Sequence, residues 1–308
     1  MNGVTGRLAP SPTGLLHLGN AWAFLWAWLA CRQAGGRLIL RMEDIDPARS
    51  TAAFAAGIVE DLRWLGLDWD EGPVAQSGRF ALYASALEKL KALGRVYPCY
   101  CTRRELRDLA GAPHVDDRGA PYPGTCRHLS AAARAEREAA GRRPCLRLNT
   151  EGLGPYTFTD AVLGPRKLSP EESGGDFALR RSDGVWAYQL AVVTDDALMG
   201  VTQVVRGEDI LASTPRQLAL SELLGYRPPS YAHIPLLCDA AGERLAKRHQ
   251  SLSLRALRAS GWDPRAIVGR LAALAGLIPA PRAAAPADLL GVFALEKLPR
   301  HPVVLETL

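Results

Sequence analysis

Between Val4 and Met42 the chain changes its hydrophobic period twice. Val4 to Leu8 is a short apolar segment. It ends at a Pro- and Gly-rich turn, Ala9 to Gly14, and a helix-like stretch follows from Gly19 to about Ala34. Arg37 to Met42 then alternates polar and apolar residues, as a strand does. Two strands joined by a helix run parallel, because a parallel pair needs a long crossover. A parallel pair in turn needs cover on both faces. The unit therefore predicts an α/β fold built on a doubly wound parallel sheet.

Helical patterns continue at Ala52–Leu65 and Arg79–Leu93. From Val96 to about Gly184 the pattern breaks into turn-rich stretches and short strand candidates, Cys145–Leu148 and Tyr156–Asp160, and the region carries four of the six cysteines. This predicts an insert over 96–184, dividing a catalytic core of 1–95 and 185–238. Strand-like segments return at Leu190–Val193 and Val201–Arg206, with a helix at Thr214–Leu224. A short helical part, 239–308, has helices near Leu252–Ser260 and Pro264–Ala275, and Ala280–Ala287 reads as a linker or surface loop.

The longest apolar run, Ala21 to Cys31, has 11 residues, too few to span a bilayer. No small-residue cleavage site follows it, so it does not read as a signal peptide. Six cysteines in 308 residues are too sparse for a disulfide-built fold. A cytoplasmic location is expected. The net charge is +5, and only five of the 37 basic residues are Lys. Arg presents a planar donor fork that suits phosphates and carboxylates, so the charge permits a nucleic-acid partner.

Three motifs carry chemistry. Arg7-Leu8-Ala9-Pro10-Ser11-Pro12-Thr13-Gly14 is followed by Leu16-His17-Leu18-Gly19-Asn20. Prolines stiffen this loop, glycines allow close backbone approach, and His17 precedes a helix N-terminus, where phosphate is favoured. Next, Trp186 to Asp196 has an apolar centre that reads as a buried strand, and Arg206-Gly207-Glu208-Asp209 follows. Third, Cys99-Tyr100-Cys101 and Tyr122-Pro123-Gly124-Thr125-Cys126 bring three thiols onto two short segments, most of a tetrahedral zinc site; His114 and His128 are alternative ligands, and three buried free thiols the alternative to a metal.

The first motif, continued by Leu40-Arg41-Met42-Glu43-Asp44-Ile45-Asp46, resembles the glutamyl-tRNA synthetase family of class I, densely from Val4 to Ser50 and again at later points. His17-Leu18-Gly19-Asn20 is similar to that family's HIGH motif, with Asn20 for its second His. Arg244-Leu245-Ala246-Lys247-Arg248 is similar to its KMSKS loop, with Arg244 for the first Lys, Ala246 for the Ser and Lys247 for the second Lys.

The resemblance implies a Rossmann-like catalytic core that joins L-glutamate to ATP, with Mg²⁺ arriving on the nucleotide. It implies that His17, Gly19, Asn20 and Lys247 bind ATP, with His17 and Lys247 catalytic. Ser11 and Glu43 would take the amino acid's ammonium group; Arg7, Arg206 and the Tyr188 hydroxyl would take its side-chain carboxylate, consistent with the bidentate pairs that Arg forms. Only about 60 residues follow Lys247, fewer than the family's anticodon-reading part needs. The length and the cysteine–tyrosine pattern resemble a shortened branch of the family. That branch implies one structural Zn²⁺ on Cys99, Cys101, Tyr122 and Cys126, and transfer of glutamate to queuosine in the anticodon of tRNA-Asp. No membrane and no obligate protein partner are expected. Two other readings stay open: ordinary charging of a tRNA 3′ end with a separate anticodon-binding partner, and a non-catalytic nucleotide- or RNA-binding relic.

Overall fold

The computed structural model describes residues 3–102, 104–106, 122–243, 245 and 253–306. The N-terminal half of the core is β1 (Thr5–Leu8), α1 (Leu18–Gln33), β2 (Arg37–Met42), α2 (Ala52–Trp64), β3 (Glu71–Ala75) and α3 (Phe80–Ala92). β1, β2 and β3 form a parallel sheet in that order, with Thr5 opposite Arg37 and Leu8 opposite Leu40. The next range holds β4 (Val96–Cys99), α4 (Ala131–Ala139), β5 (Cys145–Leu148), β6 (Tyr156–Asp160), β7 (Gly164–Leu168) and β8 (Ala178–Arg180). The core resumes with α5 (Tyr188–Leu198), β9 (Gln203–Gly207), α6 (Thr214–Leu224) and β10 (Ser230–Ile234). β11 (Leu237–Cys238), α7 (Leu254–Ala259), α8 (Pro264–Leu274) and β12 (Val303–Val304) complete the described elements.

β9 and β10 are parallel, and β9 lies against β1. Thr202 donates its N–H to the Thr5 carbonyl, and the Thr5 N–H donates to Thr202 Oγ1. The parallel strands thus stand in the order β3-β2-β1-β9-β10, and the connection reverses direction beside β1. Such a reversal opens a crevice at the carboxyl ends of the strands.

One feature lies across the expected boundaries. The hairpin β6–β7, inside the 96–184 range, sits at the edge of this sheet, with Asp160 opposite Tyr231 of β10. β4, β5 and β8 instead make a separate antiparallel sheet. The segment Leu190–Val193, read as a buried strand, is the middle of helix α5. The four residues are buried, and a run covered on every side carries no periodicity to separate strand from helix.

Helix α1 explains the longest apolar run. Its inner face meets the sheet, and its outer face is covered by residues that follow Cys238. Trp26 stacks on Phe293 with ring centroids 6.2 Å apart, and the Trp22 indole donates to the Pro235 carbonyl at 2.8 Å. Leu25, Trp26 and Leu29 are almost wholly buried, each stabilising the fold by about 1.5–3 kcal/mol. No helix among the described residues is long and apolar enough to cross a membrane.

The stretch read as a linker or surface loop is mostly exposed but is anchored to the core: Ala284 is fully buried, and its N–H donates to the Arg265 carbonyl. A Cβ on Gly269 of α8 would stand 1.6 Å from the Arg282 carbonyl oxygen. Alanine is favoured over glycine within a helix by about 1 kcal/mol, but this clash is with backbone that cannot swing away. Gly269→Ala should therefore destabilise the chain by about 1–3 kcal/mol, read as a lower thermal midpoint at unchanged secondary-structure content.

Candidate active site

His17 is the N-cap of α1. Its Nδ1 accepts the Gly19 N–H at 3.1 Å, and its own backbone N–H donates to Asn20 Oδ1 at 3.0 Å. The two side chains thus satisfy helix-terminal donors reciprocally. The prolyl turn before them is pinned just past the end of β2, where the Glu43 N–H donates to the Pro10 carbonyl. Lys247, Arg244 and Ala246 lie outside the described residues, as does His114. Both flanks of the lysine segment nevertheless meet the His17 turn: Ser253 bridges to His17, and the Leu245 carbonyl would lie 3.3 Å from a Cβ on Gly19.

The crevice between β1 and β9 is a cleft of about 780 Å³. Arg7, Ser11, His17, Gly19, Asn20, Glu43, Tyr188 and Arg206 all line it. These are all the expected substrate- and ATP-binding residues among those described. Arg7 leaves β1 and donates from Nη1 to the Val205 carbonyl at 3.1 Å. Burial holds its guanidinium below the ordinary value; Asp196 opposes that, while Arg41 and Arg206 reinforce it. Glu43 is 8% exposed, and burial raises its carboxyl against the pull of Arg41 and Arg7. Burial and Glu43 raise the Tyr188 phenol, so it stays a neutral donor.

Arg206, at the end of β9, is held on three sides. Its Nε donates to His233 Nε2 at 3.0 Å, its Nη1 to Gln217 Oε1 at 2.8 Å and its Nη2 to Thr214 Oγ1 at 2.9 Å.

Sequence reasoning missed the groups behind this lining. Arg41 is completely buried; it donates to Asp196 Oδ1 at 2.6 Å and to Glu43 Oε1 at 3.2 Å. Burial works against its charge, but Asp196 and Glu43 outweigh that and hold the guanidinium above its ordinary value. Asp195, next to Asp196, accepts from Gln76, Arg79 and Tyr83. Asp44 and Asp46 turn to Ser77 and Arg181. A charge inside an alternating strand pattern, as at Arg41, was the one available signal, since an unpaired buried charge is prohibitively costly.

A second cluster lies at the end of β4. The sulfurs of Cys99, Cys101 and Cys126 all fall within 4.8 Å of one another. The Tyr122 hydroxyl lies 3.3 Å from Cys99 Sγ, and it accepts the Cys126 N–H at 2.8 Å. The Tyr100 N–H donates to Cys126 Sγ. Burial and the two neighbouring sulfurs push the Cys101 thiol up to about 12, as expected of thiols crowded together without a cation. His128 is exposed and is not part of the cluster. Three close thiols suit a thiophilic metal ion, so the cluster can hold one.

The chain matches the family model for class I tRNA synthetases of the E and Q type, catalytic domain, over residues 3–283. It belongs to that family. It is therefore a class I aminoacyl-tRNA synthetase by descent, and its use of ATP follows from the family. It is 60% identical to the glutamyl-Q tRNA(Asp) synthetase of Nitratidesulfovibrio vulgaris, over 98% of this chain and 95% of that one. It is 52% identical to the enzyme of the same name from Symbiobacterium thermophilum, over 97% and 95%. A glutamate–tRNA ligase 2 from Acidithiobacillus ferrooxidans is 44% identical, but the match covers only 64% of that protein. In fold, the chain superposes on glutamate-tRNA synthetase from Elizabethkingia anophelis with a TM-score of 0.83, at 24% identity, covering 99% of this chain and 68% of that one.

The charge balance of the cleft rests on Arg41. Removing one partner of a buried ion pair typically costs about 3–5 kcal/mol, because the other charge is left without compensation. Arg41→Met should lower stability by about that much, although Met fills most of the same space, and a urea titration gives the measurement.

Proposed function

We propose that this chain activates L-glutamate with ATP, without needing tRNA, and transfers the glutamate to queuosine in the anticodon of tRNA-Asp. The observation that carries the proposal is the joint lining of one cleft by Arg7, Ser11, Glu43, Tyr188 and Arg206 beside His17, Gly19 and Asn20. The near full-length likeness to enzymes named for that reaction supports the choice of acceptor.

In this reading the ammonium group of glutamate sits against Glu43 and Ser11. Its side-chain carboxylate sits between Arg7 and Arg206, with Tyr188 donating. The α-carboxylate attacks the α-phosphorus of ATP, and pyrophosphate leaves. His17 and Lys247 stabilise the phosphate charge as it redistributes, and Mg²⁺ accompanies the nucleotide as substrate. The protein supplies alignment and preorganised charge. A queuosine hydroxyl then attacks the acyl carbonyl, and AMP leaves. A loop base can reach such a crevice because bases in single-stranded loops splay out of the stack. Free, sparse cysteines accord with a cytoplasmic protein.

Glutamate-dependent pyrophosphate exchange should proceed without tRNA. Transfer should require queuosine-containing tRNA-Asp and survive removal of its 3′-terminal adenosine, with glutamate found by mass spectrometry on the queuosine nucleoside. Equal transfer to tRNA lacking queuosine, or dependence on the 3′ end, would return the chain to ordinary charging. No exchange at all would favour the non-catalytic relic.

We further propose that Cys99, Cys101 and Cys126, with the Tyr122 oxygen, bind one structural Zn²⁺. The donor set fits: three thiols and a phenol leave no open position on a tetrahedral ion. Burial and Cys99 raise the Tyr122 phenol, so binding there requires the cation itself to displace the proton. The ion would brace β4 and its neighbours, and none of its four ligands lines the cleft. Elemental analysis of metal-replete protein should find about one zinc per chain. Cys101→Ser should lower occupancy and thermal midpoint together, and Tyr122→Phe should weaken metal retention with less effect on the fold.

A further inference from the structure

Arg206, in the lining of the cleft, and Arg41, behind it, are both buried guanidiniums, but they are compensated differently. Arg41 contacts two carboxylates. The three hydrogen bonds of Arg206 all go to neutral acceptors, an imidazole nitrogen, an amide oxygen and a hydroxyl, and its guanidinium lies over the uncharged Tyr231 ring. No carboxylate among the described residues forms an ion pair with it.

The state of His233 follows from its neighbours. An arginine Nε–H can only donate, so the imidazole Nε2 that meets it must accept. The ring proton therefore sits on Nδ1, facing Asp160 Oδ2 at 2.6 Å. Asp160 is itself fixed: it accepts the backbone N–H groups of Val162, Leu163 and His233. Both residues are out of water, at 0% exposure for His233 and 1% for Asp160. Burial, with the nearby Arg206, outweighs Asp160 and pulls the imidazole down to about 4. Gln217 is oriented in the same manner: its amide nitrogen donates to Gln189 Oε1 at 3.0 Å, which turns its oxygen towards Arg206. A single carboxylate in place of either acceptor would hold the guanidinium as well or better, but it would cancel the charge.

We infer that Asp160 and His233 are positioning and specificity residues for the amino acid: with Gln217 they hold Arg206 by neutral acceptors alone and so reserve its charge for the substrate's side-chain carboxylate. The inference rests on the assignment of Arg206 to that carboxylate. It explains why Asp160, the nearest acid in this chain of contacts, is kept one ring away from the guanidinium. It also makes the neutral amide of glutamine a poor substitute for glutamate, since an uncompensated buried cation gains most from an anion.

The test uses glutamate- and ATP-dependent pyrophosphate exchange with the full chain. Gln217→Glu keeps an acceptor on Arg206 Nη1 but compensates its charge. It should raise the KM for glutamate by roughly tenfold or more, with the KM for ATP nearly unchanged, because a charge-assisted contact is lost only to the amino acid. Asp160→Asn should act the same way by moving the ring proton to Nε2, against the Arg206 donor. Nitrogen NMR of His233 should show the Nδ1–H tautomer in the parent and the Nε2–H tautomer in D160N. A purely structural role would lower stability or move both KM values together. A parent-like KM for glutamate in Gln217→Glu, or an Nε2–H tautomer in the parent, overturns the inference. Arg206→Ala separates the two levels. If it retains parent glutamate activation, the carboxylate assignment itself is wrong; if it loses activation while Q217E does not, only the reservation of charge fails.

Discussion

Arg41 is a full positive charge with no access to water, and its compensation holds the two halves of the core together. The residue sits on β2; one counter-charge, Asp196, comes from the far half of the chain on α5, and the other, Glu43, is two residues on, just past the end of that strand. The salt bridge is worth keeping only when its geometry is complete, since desolvation of both partners otherwise dominates. It therefore fixes the end of α5, on which Tyr188 stands at the opposite terminus, relative to the strand that presents Glu43. Asp195, next in sequence, ties the same helix to Gln76, Arg79 and Tyr83. The cleft is thus backed by groups whose own charges are already settled, whereas Arg206 in its lining meets only neutral acceptors.

The two ends of that crevice were unequally visible in the sequence. The turn from Arg7 to Asn20 is local: its prolines, glycines and capping pair act on neighbours within a few residues, so reading along the chain is enough to recover it. The three thiols were visible through their residue type instead: Cys99 and Cys101 are two positions apart, and Cys126 lies 25 positions beyond Cys101. The groups behind Arg206 were not visible. His233 and Asp160 are 73 positions apart, and only the pairing of β6 with β10 brings them together. Nothing in either residue's immediate neighbours marks it.

Secondary structure was lost where burial is complete. Leu190 to Val193 is apolar because α5 is enclosed, and the same enclosure removes the polar face that would have marked a helix. Helix α1 survived that ambiguity through its length and its cap. The segment around Ala284 is mostly at the surface, as its alanines and prolines suggest, but Ala284 itself is buried, where Gly269 approaches the Arg282 backbone closely, a contact between backbones that side-chain patterning does not encode. Asp44 and Asp46 show the converse: a motif full of acids suggests chemistry at each of them, yet Ser77 and Arg181 occupy these two.

The cap at His17 bears on how this chain can vary. Helix N-termini are served best by Ser, Thr, Asp or Asn, whose short oxygens reach the first free N–H groups. Here an imidazole nitrogen does that work, and Asn20 answers it from the next turn. A short oxygen at position 17 would keep the helix but give up the ring that lines the cleft. A histidine without Asn20 would keep the ring but leave its own backbone N–H without that acceptor. The two positions are therefore coupled in what they tolerate: neighbouring sequences should change them together or hardly at all, and drift at one alone would register first as a shorter, frayed α1.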